Sequence, residues 1–172
     1  MADYFTPTVI QPTIPLGDIT PLERLLLSHI FNAEPDGEGL YFYADEGPAG
    51  MIWLDRAPLE AALAQSSTAR DNTAAIVVTS QLARVPADNV EIELDVSDMS
   101  WQAIFQDILR RSKTLRYVTA ISSFTCSKMR PDGFGGMAVL ITPSAVVGKS
   151  TSDIIEHFLA EAHLDEPAAL AA

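Results

Sequence analysis

A single cysteine, Cys126, occurs among 172 residues, and basic side chains are scarce, with 11 Lys and Arg against 23 Asp and Glu. One cysteine cannot build an internal disulfide framework, and it is typical of a reducing compartment. No apolar run approaches the ~20 residues needed to span a bilayer, and the first residues lack the basic leader of a secretory signal. We therefore expect a cytoplasmic protein with no membrane contact.

The composition is that of a folded protein, with 48% apolar and 20% charged residues. A chain of this length fits one domain. Three prolines predict that residues 1–18 form an extended apolar arm, which we expect to lie across its own core rather than on a partner. A single domain is predicted over residues 19–165, and a disordered tail over 166–172.

The net charge of −12 opposes general affinity for nucleic acid or anionic membranes. This charge is unevenly placed, because residues 110–130 contain six basic side chains and no acidic one. We call these six the basic segment; they are Arg110, Arg111, Lys113, Arg116, Lys128 and Arg130. The molecule thus has one basic segment in an otherwise acidic chain.

Several helices carry recognisable start signals. Thr20 is a good N-cap, Pro21 suits the first helical position, and Glu23 completes a capping box. That helix is predicted to end near the turn-forming residues 35–37. Further helices are predicted over 58–63, over 74–84 (where β-branched residues leave a strand as the alternative), from Trp101, and from Ser150 or Thr151. The last helix is predicted to bury Ile154, Ile155, Phe158, Leu159 and Ala162.

The strands are predicted from aromatic content and alternation. Residues 40–44 and 51–54 are aromatic-rich runs around a polar loop, which predicts a β-hairpin. Residues 90–96 alternate without fault and predict a half-buried strand, with Val90, Ile92, Leu94 and Val96 facing inward. A long strand over 115–129, returning over 137–142, predicts a second hairpin. The fold class is α+β, a single domain with a mostly antiparallel sheet of two β-hairpins plus the alternating strand, and helices packed on one face.

Two glycine-containing motifs resemble phosphate sites. Gly148-Lys149-Ser150-Thr151 looks like the end of a P-loop, but the motif requires a glycine five residues before Gly148, where Pro143 stands. A helix cap preceded by a turn is the better interpretation. Gly133-Phe134-Gly135-Gly136 could form an anion-binding nest, yet it precedes a strand rather than a helix, which favours a hairpin turn.

The remaining candidates for chemistry are weak. Cys126 lies in an apolar strand, where a buried inert thiol is the common outcome, although His29, His157 or His163 could assist thiol chemistry. His157 and Glu161 share a helix face, but two ligands do not make a metal site. Trp53, with Tyr41 and Tyr43, is expected in the core rather than on a ligand. We expect no catalytic residue, cofactor or metal, and the sequence leans against an enzyme.

The most suggestive feature is a row of carboxylates on the alternating strand. Glu91, Glu93 and Asp95 must point outward if their apolar neighbours point inward, with Asp88 and Asp98 extending the row. Side chains two apart on a strand stand about 6.6 Å from one another. Phosphates along one DNA strand have a comparable spacing. The row could therefore imitate a phosphate backbone, although charges on a strand also simply discourage edge-to-edge aggregation.

Three stretches carry a resemblance to a group of proteins. They are Thr20-Pro21-Leu22-Glu23-Arg24-Leu25-Leu26-Leu27, Met51-Ile52-Trp53-Leu54-Asp55-Arg56 and the run over residues 112–136. The chain there resembles uncharacterised bacterial proteins encoded on plasmids and integrative mobile elements, over nearly its whole length. The resemblance implies no activity or site residue. It implies only a setting of mobile DNA, where small acidic proteins sometimes disarm host nucleases.

Three functions stay open at this point. The first is a non-enzymatic acidic binding or regulatory protein that engages a basic protein partner, in one form as a DNA mimic or anti-defence inhibitor. The second is an enzyme or small-ligand protein with an unrecognised pocket, for which Cys126 and His29 are the candidate positions. The third is a structural module that forms homo-oligomers through the arm or the basic segment. The carboxylate row favours the first.

Overall fold

This computed structural model describes residues 2–69, 72–97 and 100–164 of the chain. These residues contain two antiparallel sheets and five α-helices. The strands are β1 (Tyr4–Phe5), β2 (Thr8–Gln11), β3 (Ile14–Pro15), β4 (Asn32–Asp36), β5 (Gly39–Ala44), β6 (Met51–Asp55), β7 (Glu91–Asp95), β8 (Val118–Cys126), β9 (Gly135–Ile141) and β10 (Val146–Ser150). The helices are α1 (Pro21–Ile30), α2 (Arg56–Ser66), α3 (Thr73–Leu82), α4 (Trp101–Arg111) and α5 (Thr151–Glu161). The fold is single-domain α+β with a mostly antiparallel sheet. The tail predicted over 166–172 lies outside the described residues.

The N-terminal segment supplies the middle of the main sheet. This sheet has the order β10-β9-β8-β2-β5-β3, with β1 also pairing with β8 and β4 with β5. β2 lies between β8 and β5, and its residues Thr8 and Ile10 are almost fully buried. Residues 2–15 are therefore largely extended, as their prolines indicate, and Leu16–Asp18 form a 3₁₀ helix, but part of this segment is an integral strand rather than an arm laid over a finished core.

The hairpin predicted from residues 40–44 and 51–54 is wrong. β5 pairs with β4 through a turn that contains Gly37 at a φ of 57°, a left-handed conformation that glycine adopts readily. β6 instead pairs with β7, about forty residues further along, in a separate two-stranded sheet. Pro35 and Asp36 thus end β4 and Gly37 lies in the β4–β5 turn, while α1 already ends at Ile30. The polar loop after β5 carries the chain from one sheet to the other.

The helices cover the core with their apolar faces. Thr20 and Glu23 form the predicted capping box at the start of α1, and both of its hydrogen bonds are present. On α1 and α4 the fully buried side chains recur at helical spacing; they are Leu22, Leu26, Leu27, Ile104, Phe105 and Ile108. Phe31 and Phe105 pack edge to face against Phe42 of β5, and Trp101 packs edge to face against Phe31 and Phe105. Among the described residues, no helix has both the length and the apolar character needed to cross a bilayer.

Several other elements match or extend the sequence expectations. Residues 74–84 are helical as favoured, since α3 spans Thr73–Leu82. The second predicted hairpin is confirmed by the pairing of β8 with β9. β10 was not expected, because Gly148 and Lys149 predicted a turn before the last helix rather than a strand. It pairs with β9 and forms an edge of the main sheet.

The last helix differs from expectation in its environment. α5 begins at Thr151 as predicted, but none of its residues is buried. The four large apolar side chains expected in the core are 40–55% exposed; they are Ile154, Ile155, Phe158 and Leu159. α5 contacts only β9 and β10 appreciably, at the edge of the sheet and away from α1 and α4.

Candidate functional site: an acidic strand beside an exposed tryptophan

The two-stranded sheet of β6 and β7 has one buried face and one exposed face. Because side chains alternate along a strand, Ile52 and Leu54 of β6 lie on the same side as Ile92 and Leu94 of β7. These four are 0–5% exposed and anchor the sheet to the core. The opposite side faces solvent, and we call its six residues the acidic face: Met51, Trp53, Asp55, Glu91, Glu93 and Asp95.

The register places a tryptophan in the centre of this surface. Trp53 lies directly opposite Glu93, while Asp55 faces Glu91 and Met51 faces Asp95. Side chains facing each other across an antiparallel pair have Cβ atoms about 5 Å apart, and neighbours along a strand are about 6.6 Å apart. Trp53 therefore has Glu93 opposite it, Glu91 and Asp95 diagonal to it, and Asp55 two residues along its own strand. It is 55% exposed, so the expectation that it belongs to the core is wrong.

Side chains from the helices fix the position of β7. Gln81 of α3 donates from Nε2 to the carbonyl oxygen of Asp95 at 2.7 Å, and its Oε1 accepts the Asp95 N–H at 3.0 Å. The backbone N–H groups of Arg56 and Val96 bond to the carbonyl oxygens of Val90 and Gly50 at the two ends of the sheet. The carboxylate row is thus held on a braced strand and not on a mobile loop.

Arg56 holds the turn that leads into β7. Its Nε and Nη2 donate to the carbonyl oxygens of Asn89 and Pro86, each at 2.7 Å, and its Nη1 contacts Glu60 at 3.0 Å. The side chain is only 16% exposed, so this cation is tied to the turn. The turn also carries Asp88, which is exposed and lies next to the start of β7.

The charge of the acidic face is strongly one-sided. Four of its six positions are carboxylates, and none is Lys or Arg. The Ser97 hydroxyl and backbone N–H donate to the Asp95 carboxylate at 2.5 and 2.9 Å, and these bonds lower the pKa of Asp95 below its usual value. Asp95 therefore keeps its charge to more acidic pH than an ordinary aspartate. Asp98, predicted to extend the row, lies outside the described residues.

One part of the predicted row geometry is wrong. Ile92, Leu94 and Val96 point inward as expected, but Val90 is 76% exposed. It precedes β7 in the chain, beyond the register that β6 imposes through its pairing over Glu91–Asp95. The alternating pattern therefore predicted a strand that begins one residue too early.

The basic segment does not form one surface. Arg110 contacts the buried Asp107 at 2.9 Å, and Arg111 contacts the buried Glu23 at 2.6 Å, so both charges have internal partners. Lys113 and Arg116 are exposed before β8. Lys128 and Arg130 are exposed after it, and a nine-residue strand separates the two pairs by roughly 30 Å.

The two glycine-containing motifs that resemble phosphate sites have structural roles. Gly148 and Lys149 lie on β10, and Ser150 caps α5 in a capping box with Asp153, so the helix cap is confirmed although a strand precedes it. The Ser150 N–H and hydroxyl also lower the pKa of Asp153. Gly133 belongs to the connection between β8 and β9, and Gly135 begins β9, so this motif is part of a hairpin as favoured.

The candidates for enzyme chemistry find little support. Cys126 is buried as expected, and its Cβ lies so close to Gly133 that any side chain there would clash at 2.3 Å. His29 borders an open cleft of about 500 Å³, but its Nδ1 lies 2.8 Å from the carbonyl oxygen of Leu25 in its own helix. His157 and Glu161 form an exposed pair at 3.5 Å. No group of three metal-ligating side chains occurs within residues 2–69, 72–97 and 100–164.

Sequence reasoning identified half of the acidic face and missed the rest. Met51 and Asp55 were not singled out and Trp53 was placed in the core, because residues 51–54 are all apolar and alternation alone could not show which side is buried. The signal that could have found them is the match between Ile52-x-Leu54 and Ile92-x-Leu94, which predicts two strands sharing one buried face. Comparisons with protein-family models, with curated proteins and with solved structures find no match for this chain.

Proposed function

We propose that this chain is a non-enzymatic binding protein that engages a basic protein partner through the acidic face. The observation that carries the proposal is the exposed Trp53 held among Asp55, Glu91 and Glu93 on a braced two-stranded sheet. An acidic chain with one buried thiol suits a partner in the cytoplasm. The resemblance to proteins of mobile genetic elements suggests a role against a host factor that handles DNA.

Trp53 adds an aromatic contact that a row of carboxylates does not provide by itself. Tryptophan is among the residues most enriched at the energetic centres of protein interfaces. Its ring face attracts a guanidinium or ammonium group, and arginine can stack on it while donating to a neighbouring carboxylate. Glu93 lies directly across from Trp53 and is positioned to complete such a pair. The expected ligand is therefore an arginine-rich or lysine-rich segment of a protein.

DNA mimicry is a specific form of this proposal. Glu91, Glu93 and Asp95 stand at intervals of about 6.6 Å, comparable to phosphates along a nucleic-acid strand. A row of this kind fits the groove of a nucleic-acid-binding protein or nuclease. The second strand, however, presents Trp53 and Met51 beside the row rather than a second line of carboxylates. The acidic face therefore suits a compact basic site better than a long DNA groove.

A pull-down from a bacterial lysate at low salt tests the proposal. Glu91→Lys/Glu93→Lys reverses the row, while Glu38→Lys/Glu46→Lys makes the same change in net charge at exposed carboxylates outside the acidic face. We leave Asp95 unchanged because its bonds to Ser97 brace the chain after β7. The wild type and the control are expected to retain a basic partner, and the row variant to lose most of it. Moderate salt should release the partner, because screening weakens exposed charge pairs.

Trp53→Ala provides a second arm that does not alter charge. Tyr117→Ala is its matched control, since Tyr117 is 53% exposed and lies just before β8, outside the acidic face. Removal of an anchoring tryptophan is expected to weaken binding by about thirtyfold, whereas the control should have little effect. Equal retention by every variant, or equal loss in both members of a matched pair, would contradict the proposal.

A further inference from the structure

The helix α5 has strong local definition at both ends. Ser150 and Asp153 form a capping box at its start. At its end His163 adopts a φ of 57°, and the Leu164 N–H bonds to the carbonyl oxygen of Leu159 at 2.9 Å, which is a Schellman-type termination. These start and stop signals indicate that the sequence itself favours a helix over Thr151–Glu161.

This well-capped helix is left with its apolar side uncovered. Isolated helices shorter than about 12–15 residues are marginal in water, and α5 has 11 residues. Ile154, Ile155, Phe158 and Leu159 lie at helical spacing on one side, each 40–55% exposed. Stable formation of α5 therefore calls for a surface that covers this side.

We propose that the surface covering α5 is the α5 helix of a second copy of this chain, packed antiparallel about a two-fold axis. This inference is independent of the proposed function. A two-fold interface must be self-complementary, since the same patch faces itself. The pattern of α5 meets that demand, because it is symmetric about the midpoint between Glu156 and His157.

The symmetry sets the layers of the interface. Ile155 falls in the same layer as Phe158 of the second copy, and Ile154 in the same layer as Leu159. At the ends Thr151 falls beside Ala162, and both side chains are small enough to let the helices approach. Helical spacing of 100° per residue directs Asp153 and Glu156 away from this side. Antiparallel packing also sets the positive end of each helix dipole near the negative end of the other.

The exposed apolar area is of the size that a dimer uses. Five large apolar side chains, four on α5 and one just after it, are 40–67% exposed; they are Ile154, Ile155, Phe158, Leu159 and Leu164. At about half the area of a large side chain each, they expose roughly 400 Å² per subunit. A standard interface buries about 800 Å² per partner, of which rather more than half is apolar.

Sedimentation of the full chain tests this dimer. The wild type is expected at a mass near twice 18.6 kDa at micromolar concentration. Phe158→Glu is expected to raise the dissociation constant by at least about a hundredfold, because it places two charges at the centre of the interface. The variant should still fold, because Phe158 contributes nothing to the buried core. Ile76→Glu, at a 72% exposed site on α3, is the matched control and should remain a dimer.

Disulfide trapping tests the antiparallel register. In a Cys126→Ser background, Ile155→Cys and Phe158→Cys proteins are prepared separately and then mixed under oxidation. Formation of the mixed disulfide well above either homodisulfide is the expected result, since only that pair shares a layer. A monomeric wild type, an unaffected Phe158→Glu dimer, or a predominance of homodisulfides would overturn the proposal.

Discussion

Replacement of Arg111 by methionine is expected to lower the free energy of unfolding by about 3 kcal/mol at pH 7. The Glu23 side chain is 1% exposed, and both of its carboxylate oxygens lie 2.6 Å from Nη2 of Arg111. One of them also accepts the Thr20 N–H at 2.9 Å. Methionine keeps much of the packing volume but leaves an uncompensated buried charge, which is far more costly than the absence of the whole pair.

The loss is expected to depend on pH. Burial raises the pKa of Glu23 above its ordinary 4.5, against the lowering effects of the Thr20 hydrogen bond and of Arg111. An acid with a raised folded-state pKa contributes stability that is fully present below its unfolded pKa and is lost as the pH rises through the folded value. Without Arg111 the pKa of Glu23 rises further, so the difference between variant and wild type should be largest at pH 7 and shrink toward pH 4.5.

Urea denaturation of four proteins measures this coupling. The set is the wild type, Arg111→Met, Glu23→Gln and the double variant. The double variant is expected to be more stable than Arg111→Met alone, because a neutral amide can still accept the Thr20 N–H and needs no cation. A loss below about 1 kcal/mol in Arg111→Met, or a double variant no better than the single one, would show that the pair is not a linked unit.

Replacement of Asp107 by alanine is expected to cost about 2–3 kcal/mol. Asp107 is 1% exposed on α4, where its Oδ2 accepts the N–H of Thr73, the first residue of α3, at 2.7 Å. Its Oδ1 accepts from Nη1 of Arg110 at 2.9 Å. The carboxylate therefore joins two helices and sits where a helix dipole favours negative charge. Alanine would leave the Thr73 N–H without this acceptor and remove the carboxylate partner of Arg110, which would keep its bonds to Gln106 and Pro143.

Asp107→Asn separates the hydrogen bond from the charge. Asparagine can still accept the Thr73 N–H, so its loss of stability is expected to be less than half that of Asp107→Ala. Thermal unfolding ranks the two variants, and amide exchange at the start of α3 should quicken most in the alanine variant. Equal losses in the two, or exchange changes spread evenly over the chain, would contradict the role assigned to Asp107.

The elements that depend on local signals could be predicted from the sequence. The capping box of Thr20 and Glu23 is read within four residues, and the alternation of β7 within five. The outward direction of Glu91, Glu93 and Asp95 followed from that alternation. Each of these signals depends on backbone geometry inside one element, so no knowledge of the remaining chain was required.

The features that depend on distant partners could not be predicted in this way. β5 and β6 are neighbours in sequence, yet they join different sheets, because β5 pairs with β2, β3 and β4 while β6 pairs with the distant β7. The exposure of Trp53 follows from the register with β7. The exposure of α5 depends on whether another element of the chain packs beside it at the edge of the sheet. Apolar residues recur at the same helical spacing whether a helix packs on its own core or on a second copy of the chain, so the spacing alone cannot distinguish the two.

The most direct test of the acidic face is a calorimetric titration with an oligoarginine peptide at low and high salt. At low salt we expect Glu91→Lys/Glu93→Lys to bind at least about tenfold more weakly than Glu38→Lys/Glu46→Lys, although the two variants have the same net charge. Binding by the wild type should fall steeply at high salt. Equal affinity of the two variants would mean that only the net charge of the chain attracts the peptide, and would contradict a binding site at Trp53 and the carboxylates around it.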